Sequence, residues 1–299
     1  MKYFNLSIIL IFIGAALSAQ QLSDVYYKPE IKNPAYPVGK GPLVYLDEGH
    51  NNFHKLEGRY KPFRLLLERD GYVLESSTSR ISAQLLAKCK IFIISDPMSQ
   101  KKKSAYSNKE IEILKNWVKN GGSLFLITDH MPDPPAIAEL ALAFGIKVQD
   151  SYVFNSETEL LGGKIYFKIS DETLGDHPIT QGRPGLNENI NLVTSFTGSA
   201  FKAGNDFIPI MTFGPKKTAW LTKKEGKFPM NTPKIEVEGW LQGGIQDIGT
   251  GQLAFFSEAG MFTAQIIGPD KTKFGMNVPD ANENAQFLLN IMHWLTGML

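Results

Sequence analysis

The chain has 299 residues, 43 % of them hydrophobic, which is enough for a domain with a substantial core and argues against disorder. Its 31 Lys and Arg nearly balance 30 Asp and Glu, so the formal net charge of +1 provides no field to attract polyphosphate, and nucleic acid is not expected as a partner. A single cysteine, Cys89, excludes an intrachain disulfide and any multi-cysteine zinc or iron–sulfur site.

Lys2, an apolar run from Leu6 to Leu17 and the small-residue close Ser18-Ala19-Gln20 follow the order of a secretory signal peptide over residues 1–19. The run is shorter than the ~20 apolar residues that span a bilayer, so no stable membrane span is expected, and the mature protein is read as periplasmic or secreted. Residues 20–40 form an extended lead-in, because Pro29, Pro34 and Pro37 exclude regular helix.

From residue 41 to 299 the pattern is that of one α/β domain. Short apolar runs at Leu43–Leu46, Tyr72–Leu74, Ile91–Ser95 and Ser123–Thr128 read as strands. Helical patterns at Tyr60–Asp70, Ser82–Ala87, the segment opened by the capping box Ser107 and Glu110, and Pro135–Phe144 alternate with them. The second half is β-rich, with strands expected at Lys164–Ile169, Leu192–Phe196, Phe207–Phe213 and Thr218–Leu221. A hairpin of Gly239–Gln246 with Gln252–Ser257 follows, and Ala281–Leu295 closes the chain as a helix.

Polar residues gather at the strand ends: Asp47, Glu48 and His50 after the first strand, Asp96 after the third, Asp129 and His130 after the fourth. In open α/β sheets ligands bind beyond the carboxyl ends of strands, so these residues are expected to face one crevice. Carboxylates and imidazoles there could act as general acid and base or hold a divalent metal, with His50 and His54 spaced as a helix-borne ligand pair. The competing reading is that these aspartates cap helices and tie turns. His177 precedes Pro178 and begins a turn that leads into an extended segment. His293 reads as a core or interface histidine in the closing helix. No Gly-x-Ser-x-Gly elbow and no phosphate-binding glycine loop occurs, and Cys89 precedes its strand instead of following it.

Several blocks carry a resemblance. Leu46-Asp47-Glu48-Gly49-His50-Asn51-Asn52-Phe53-His54 and Gly58-Arg59-Tyr60-Lys61-Pro62-Phe63 open it, and Asp129-His130-Met131-Pro132, Asp176 to Arg183 and Phe196-Thr197-Gly198 continue it. Ser257 to Gln265, Gly275-Met276-Asn277 and Asn284 to Trp294 complete it. Together they resemble a domain-of-unknown-function branch of the class I glutamine amidotransferase-like superfamily, with a weaker similarity to trehalose-utilisation-like proteins.

The resemblance implies a flavodoxin-like, mostly parallel sheet sandwiched by helices. It also implies that Asp129 stands at the elbow where amidotransferases carry their cysteine, so glutamine hydrolysis is not expected. The expected function is a hydrolase-like or lyase-like enzyme on a small carbohydrate-derived substrate, the alternative being a non-catalytic glycan- or protein-binding envelope module. Asp47, His50, Asp129 and Glu258 are the expected acid–base residues. Glu48, Asn51, Asp96, His130, His177, Gln265 and Asn277 are expected to bind ligand, and His50, His54, Asp129 and His130 are the expected metal set.

Overall fold

A computed structural model describes residues 21–99, 103–156 and 163–299. The signal peptide expected at residues 1–19 lies outside these residues.

Nine strands form the central sheet: β1 Leu43–Asp47, β2 Val73–Ser77, β3 Ile91–Ser95, β4 Ser123–Ile127, β5 Lys147–Val148, β6 Phe201–Lys202, β7 Ile208–Thr212, β8 Leu241–Ile248 and β9 Gly251–Phe256. Their order is β2-β1-β3-β4-β9-β8-β6-β5, with β7 also paired to β8. The first five of these are mutually parallel and the rest join antiparallel. Strand order therefore reverses between β1 and β3, which marks the crevice where ligands enter such sheets.

Both sheet faces are covered, which is why β3 and β4 are buried along their whole length. Alternate residues point to opposite faces. Val44, Leu46, Ile91, Ile93, Phe125 and Ile127 pack with Phe63, Leu66 and Leu67 of α1 (Lys61–Arg69) and with the closing helix Asn284–Leu295. Tyr45, Phe92, Ile94, Leu124 and Leu126 pack on the other face with Leu86 of α2 (Ala83–Leu86), Ile111 and Leu114 of α3 (Asn108–Lys119), and Ile137 and Leu140 of α4 (Pro134–Leu142). Each fully buried side chain of this size contributes about 1.5–3 kcal/mol. The expected capping box is present at the start of α3, with Ser107 and Glu110 each bonding the other's backbone N–H.

Smaller sheets are built onto this frame. Tyr152–Asn155, Lys217–Trp220 and Lys234–Glu236 form one, and Ile165–Lys168 with Leu192–Ser195 another. The hairpin β8–β9 turns through Gly249-Thr250, tighter than the sequence suggests. Gly249 has φ +63°, and a Cβ there would lie 2.3 Å from the Lys119 carbonyl, so glycine is required.

One expectation gains detail and one needs correction. The lead-in is fastened at its start: Gln21–Ser23 pairs with Ala264–Ile267, which pairs in turn with Thr272–Gly275 in a third small sheet, and Asp24 accepts a bond from Asn277. The segment after His177 is a short helix, α5 (Pro178–Gln181), where an extended run was expected. Pro178 does keep His177 extended, but proline is well suited to the first turn of a helix.

Candidate functional site

At the carboxyl ends of β3 and β4 the structure opens a cavity of about 300 Å³. Asp96, Asp129, His130, His54 and Gln265 line it, as do Arg59 and Asp133. Phe53, Met98 and Phe274 supply its apolar surface, and Gln21 brings the N-terminal strand to the same wall. Glu258, after β9, is almost fully buried beside this cavity, and its carboxylate accepts the backbone N–H groups of Gly260 (2.7 Å) and Met261 (2.8 Å). Three adjacent parallel strands thus each deliver a carboxyl group to the same region.

Asp96 is the most constrained of them. Its φ is +41°, unusual for a residue with a Cβ, and such strain gathers at functional sites. It is 1 % exposed, with Oδ2 3.0 Å from His54 Nδ1 and Oδ1 buried without a partner. Burial, followed by the charge of Asp129, pushes its pKa well above the carboxylate range. His54, stacked on Tyr60 at 4.1 Å and bonded also to Ser95 Oγ, is held neutral, burial drawing its pKa down to about 3. The close His54–Asp96 contact is therefore one between groups that burial drives to their neutral forms, and not an ion pair.

Asp129 accepts the backbone N–H of His130 at 2.7 Å. The His130 ring stacks on Tyr152 at 4.2 Å and donates from Nδ1 to the Met131 carbonyl at 2.8 Å, across from the cis Met131–Pro132 bond. Burial opposes its charged form, but Asp129, the Met131 carbonyl, Asp133 and Asp96 together raise its pKa above the usual value. Asp133, also half-buried, is pushed up to about 9, first by burial and then by Asp96 and Asp129. Glu258 is raised by burial and by Asp129 in spite of its backbone donors. Arg59 lies 4.1 Å above the Phe53 ring and makes no ion pair among the described residues.

Other expected residues are placed elsewhere. Asp47 and His50 do not line this cavity. They form a buried chain on the opposite face: Tyr106 Oη donates to Asp47 at 2.7 Å, His50 Nδ1 meets Asp47 at 2.8 Å, and His50 Nε2 meets Glu110 at 3.0 Å. With both ring nitrogens engaged, His50 is a clamp between β1 and the start of α3. Burial lowers its pKa, but the two carboxylates outweigh that and raise it. A larger and more open cavity of about 830 Å³ adjoins this chain at Tyr106 and Glu110. Glu110 there is already bonded by Ser107, Ile81 and His50.

Glu48 accepts from Leu56 N and Ser76 Oγ and so shapes the loop after β1, and Asn51 is exposed. His177 caps α5 through Nδ1, accepting from Ile179 N at 3.1 Å. Asn277 ties Asp24 to the Gln265 carbonyl. Of the expected metal set, His54, Asp129 and His130 line this cavity and His50 lies apart in the Asp47 chain. Among the described residues no group of three or more His, Cys, Asp or Glu is arranged to hold a metal ion. His293 is a core residue bonded to Asp70 at 2.8 Å. Cys89 is half-buried at the opposite end of β3, and burial pushes its thiol up to about 12, far from a nucleophile's range.

The sequence reasoning passed over Arg59, Asp133 and Phe274. Arg59 stands in the Gly58–Phe63 segment and Asp133 four residues beyond Asp129 in the same loop, so the local sequence carries a signal for both. Phe274 approaches through the third sheet, whose pairing joins segments more than two hundred residues apart.

No protein-family model and no curated protein matches the chain. Among solved structures, the mmIFT52 N-terminal domain superposes with a TM-score of 0.60 at 14 % identity, covering 85 % of this chain and 97 % of that one. The two share a fold. A ThuA-like protein from Bacteroides uniformis gives 0.48 at 11 % identity, covering 90 % of this chain and 95 % of its own. One from Parabacteroides merdae gives 0.47 at 12 %, covering 86 % and 91 %. No described helix is long and apolar enough to cross a membrane.

Proposed function

We propose that the Asp96–Asp129 cavity is the active site of an exported hydrolase-like or lyase-like enzyme acting on a small carbohydrate-derived substrate. In this reading the fold is flavodoxin-like and glutamine amidotransferase-like, without the cysteine nucleophile. One observation carries it: two carboxyl groups at the ends of adjacent strands line one cavity, and burial together with the charge of Asp129 disfavours the ionised form of Asp96. Asp96 is buried and held protonated, whereas Asp129 is half-exposed and supplies the negative charge that Asp96, Asp133, His130 and Glu258 all feel. A carboxyl group that burial keeps protonated can serve as the acid beside a second, more exposed carboxyl group in the same cavity. Asp129 takes a substrate proton, and Asp96 or the His130 imidazolium returns one.

Other features suit a polyhydroxylated ligand. Asp96 Oδ1 and Gln265 Oε1 are buried acceptors without a protein partner, which a ligand hydroxyl or a water completes. Phe53 and Phe274 offer flat faces for the C–H side of a sugar ring. The exposure of Phe53, at 43 %, also favours the second reading, a glycan-binding envelope module without turnover.

Incubating the protein with a panel of mono- and disaccharides under NMR observation tests both. Product signals that disappear in Asp129→Asn and Asp96→Asn, with the fold intact, support catalysis. Product formation unaffected by either substitution removes the cavity from the reaction, and saturable binding without product moves the protein to the second reading.

A further inference from the structure

Resting on the reading of this cavity as a ligand site, we propose that it takes a polyhydroxylated ligand bearing a carboxylate, a sugar acid, whose anionic end is held by Arg59. The guanidinium is half-buried, so its charge is partly desolvated, and it makes neither a salt bridge nor a side-chain hydrogen bond among the described residues. An uncompensated charge in such a place is costly and calls for a partner. The other cationic side chains of this neighbourhood are engaged: Lys61 and Arg64 both bond Glu57.

Phe53 holds the group in place by a cation–π contact. The guanidinium carbon lies 4.1 Å over the ring, and its N–H groups, with no side-chain partner among the described residues, stay free for bidentate pairing. A carboxylate matches that planar fork. Asp129 and Glu225 on the same cavity oppose a dianion, which selects a singly charged carboxylate over a phosphate ester. The carboxylate on Arg59 leaves the hydroxyl-bearing part of the molecule for Asp96, Asp129 and Gln265 across a cavity of about 300 Å³.

Calorimetry of the wild-type chain with galacturonate and glucuronate, against galactose, glucose and glucose 6-phosphate, tests this. The uronates should bind roughly ten- to a hundredfold more tightly than their neutral parents, the range of a charge-assisted pair. In Arg59→Gln that preference should vanish while the neutral sugars keep their affinity, and Arg59→Lys, which keeps the charge without the fork, should restore part of it. Equal affinity for uronates and neutral sugars, a preference for glucose 6-phosphate, or a uronate preference that survives Arg59→Gln overturns the proposal. So does binding of none of these probes. Neutral-sugar binding that is indifferent to Arg59 but lost in Asp129→Asn leaves the cavity reading standing while the carboxylate inference falls.

Discussion

His54 Nδ1 and Asp96 Oδ2 lie 3.0 Å apart with both side chains nearly sealed from solvent, and burial drives each of them to its neutral form. Burial is the largest influence on both: it outweighs the favourable effect of Asp129 on an imidazolium at His54, and together with the charge of Asp129 it outweighs the favourable effect of His130 on a carboxylate at Asp96. The consequence is an aspartic acid beside a neutral histidine at the wall of the cavity, with Asp96 Oδ1 left without a protein partner.

Asp129 sets the charge of this neighbourhood. Replacing it with Asn should lower the His130 pKa, because the first-named of the influences raising it is removed. The imidazole titration followed by 15N NMR reads this directly, and a pKa that stays in place would show that the Met131 carbonyl and Asp133 suffice. Where turnover is measured, the same substitution should cost about 10²- to 10⁴-fold, the usual weight of a positioned acid or base.

Asp133 gives a pH-dependent prediction for stability. Its pKa is about 9 in the folded chain, against 3.8 as its unperturbed value. Between those limits the native state holds a proton that the unfolded state has released, so stability falls as pH rises, by at most about 1.4 kcal/mol per pH unit for one proton. Asp133→Asn removes this slope. Its melting temperature relative to wild type should climb from pH 5 to pH 9, and a constant difference would contradict the assignment.

His54 acts in the opposite sense on the acid side. Its folded pKa near 3 lies below the unperturbed 6.5, so the unfolded state takes up the proton first and stability is lost as pH falls below about 6.5. His54→Gln should melt less steeply with acid than wild type between pH 6.5 and 4. His50 works the other way: its raised pKa gives stability present in full below 6.5 and lost as pH rises through the folded value.

The Asp47–His50–Glu110 chain predicts a purely structural phenotype. Asp47→Asn leaves the His50 imidazolium with one carboxylate and should destabilise the fold by about 3 kcal/mol, as breaking a buried pair does. Ligand affinity at the other cavity should stay within a factor of about two, since effects at separate sites without shared partners are nearly independent. Denaturant titration alongside calorimetry checks both halves.

The course of the chain was legible wherever local chemistry speaks. The strands from Leu43 to Ile127, the Ser107–Glu110 capping box and the closing helix follow from periodicity and caps, and structure and sequence agree on them within a few residues. What periodicity did not reveal was the face on which the cavity opens. Asp47 shares the parity of Tyr45, which packs towards α3, so its carboxyl meets Tyr106 and Glu110. Ser95, two residues beyond Ile93, points to the opposite face, where His54 and Tyr60 lie, and the left-handed turn at Asp96 keeps its carboxyl beside them. Arg59, Gln265 and Phe274 reach the site through pairings between distant segments, which no short window of sequence records.

The most direct test of the central claim is chemical-shift mapping of the 15N-labelled protein with galactose and galacturonate. The account predicts saturable perturbations concentrated at residues 53–59, 96–98, 129–133 and Gln265, and their loss in Asp129→Asn. Perturbations centred instead on Arg80, Ser82, Tyr106 and Lys109 at the second cavity, or a pattern that Asp129→Asn leaves unchanged, would contradict it.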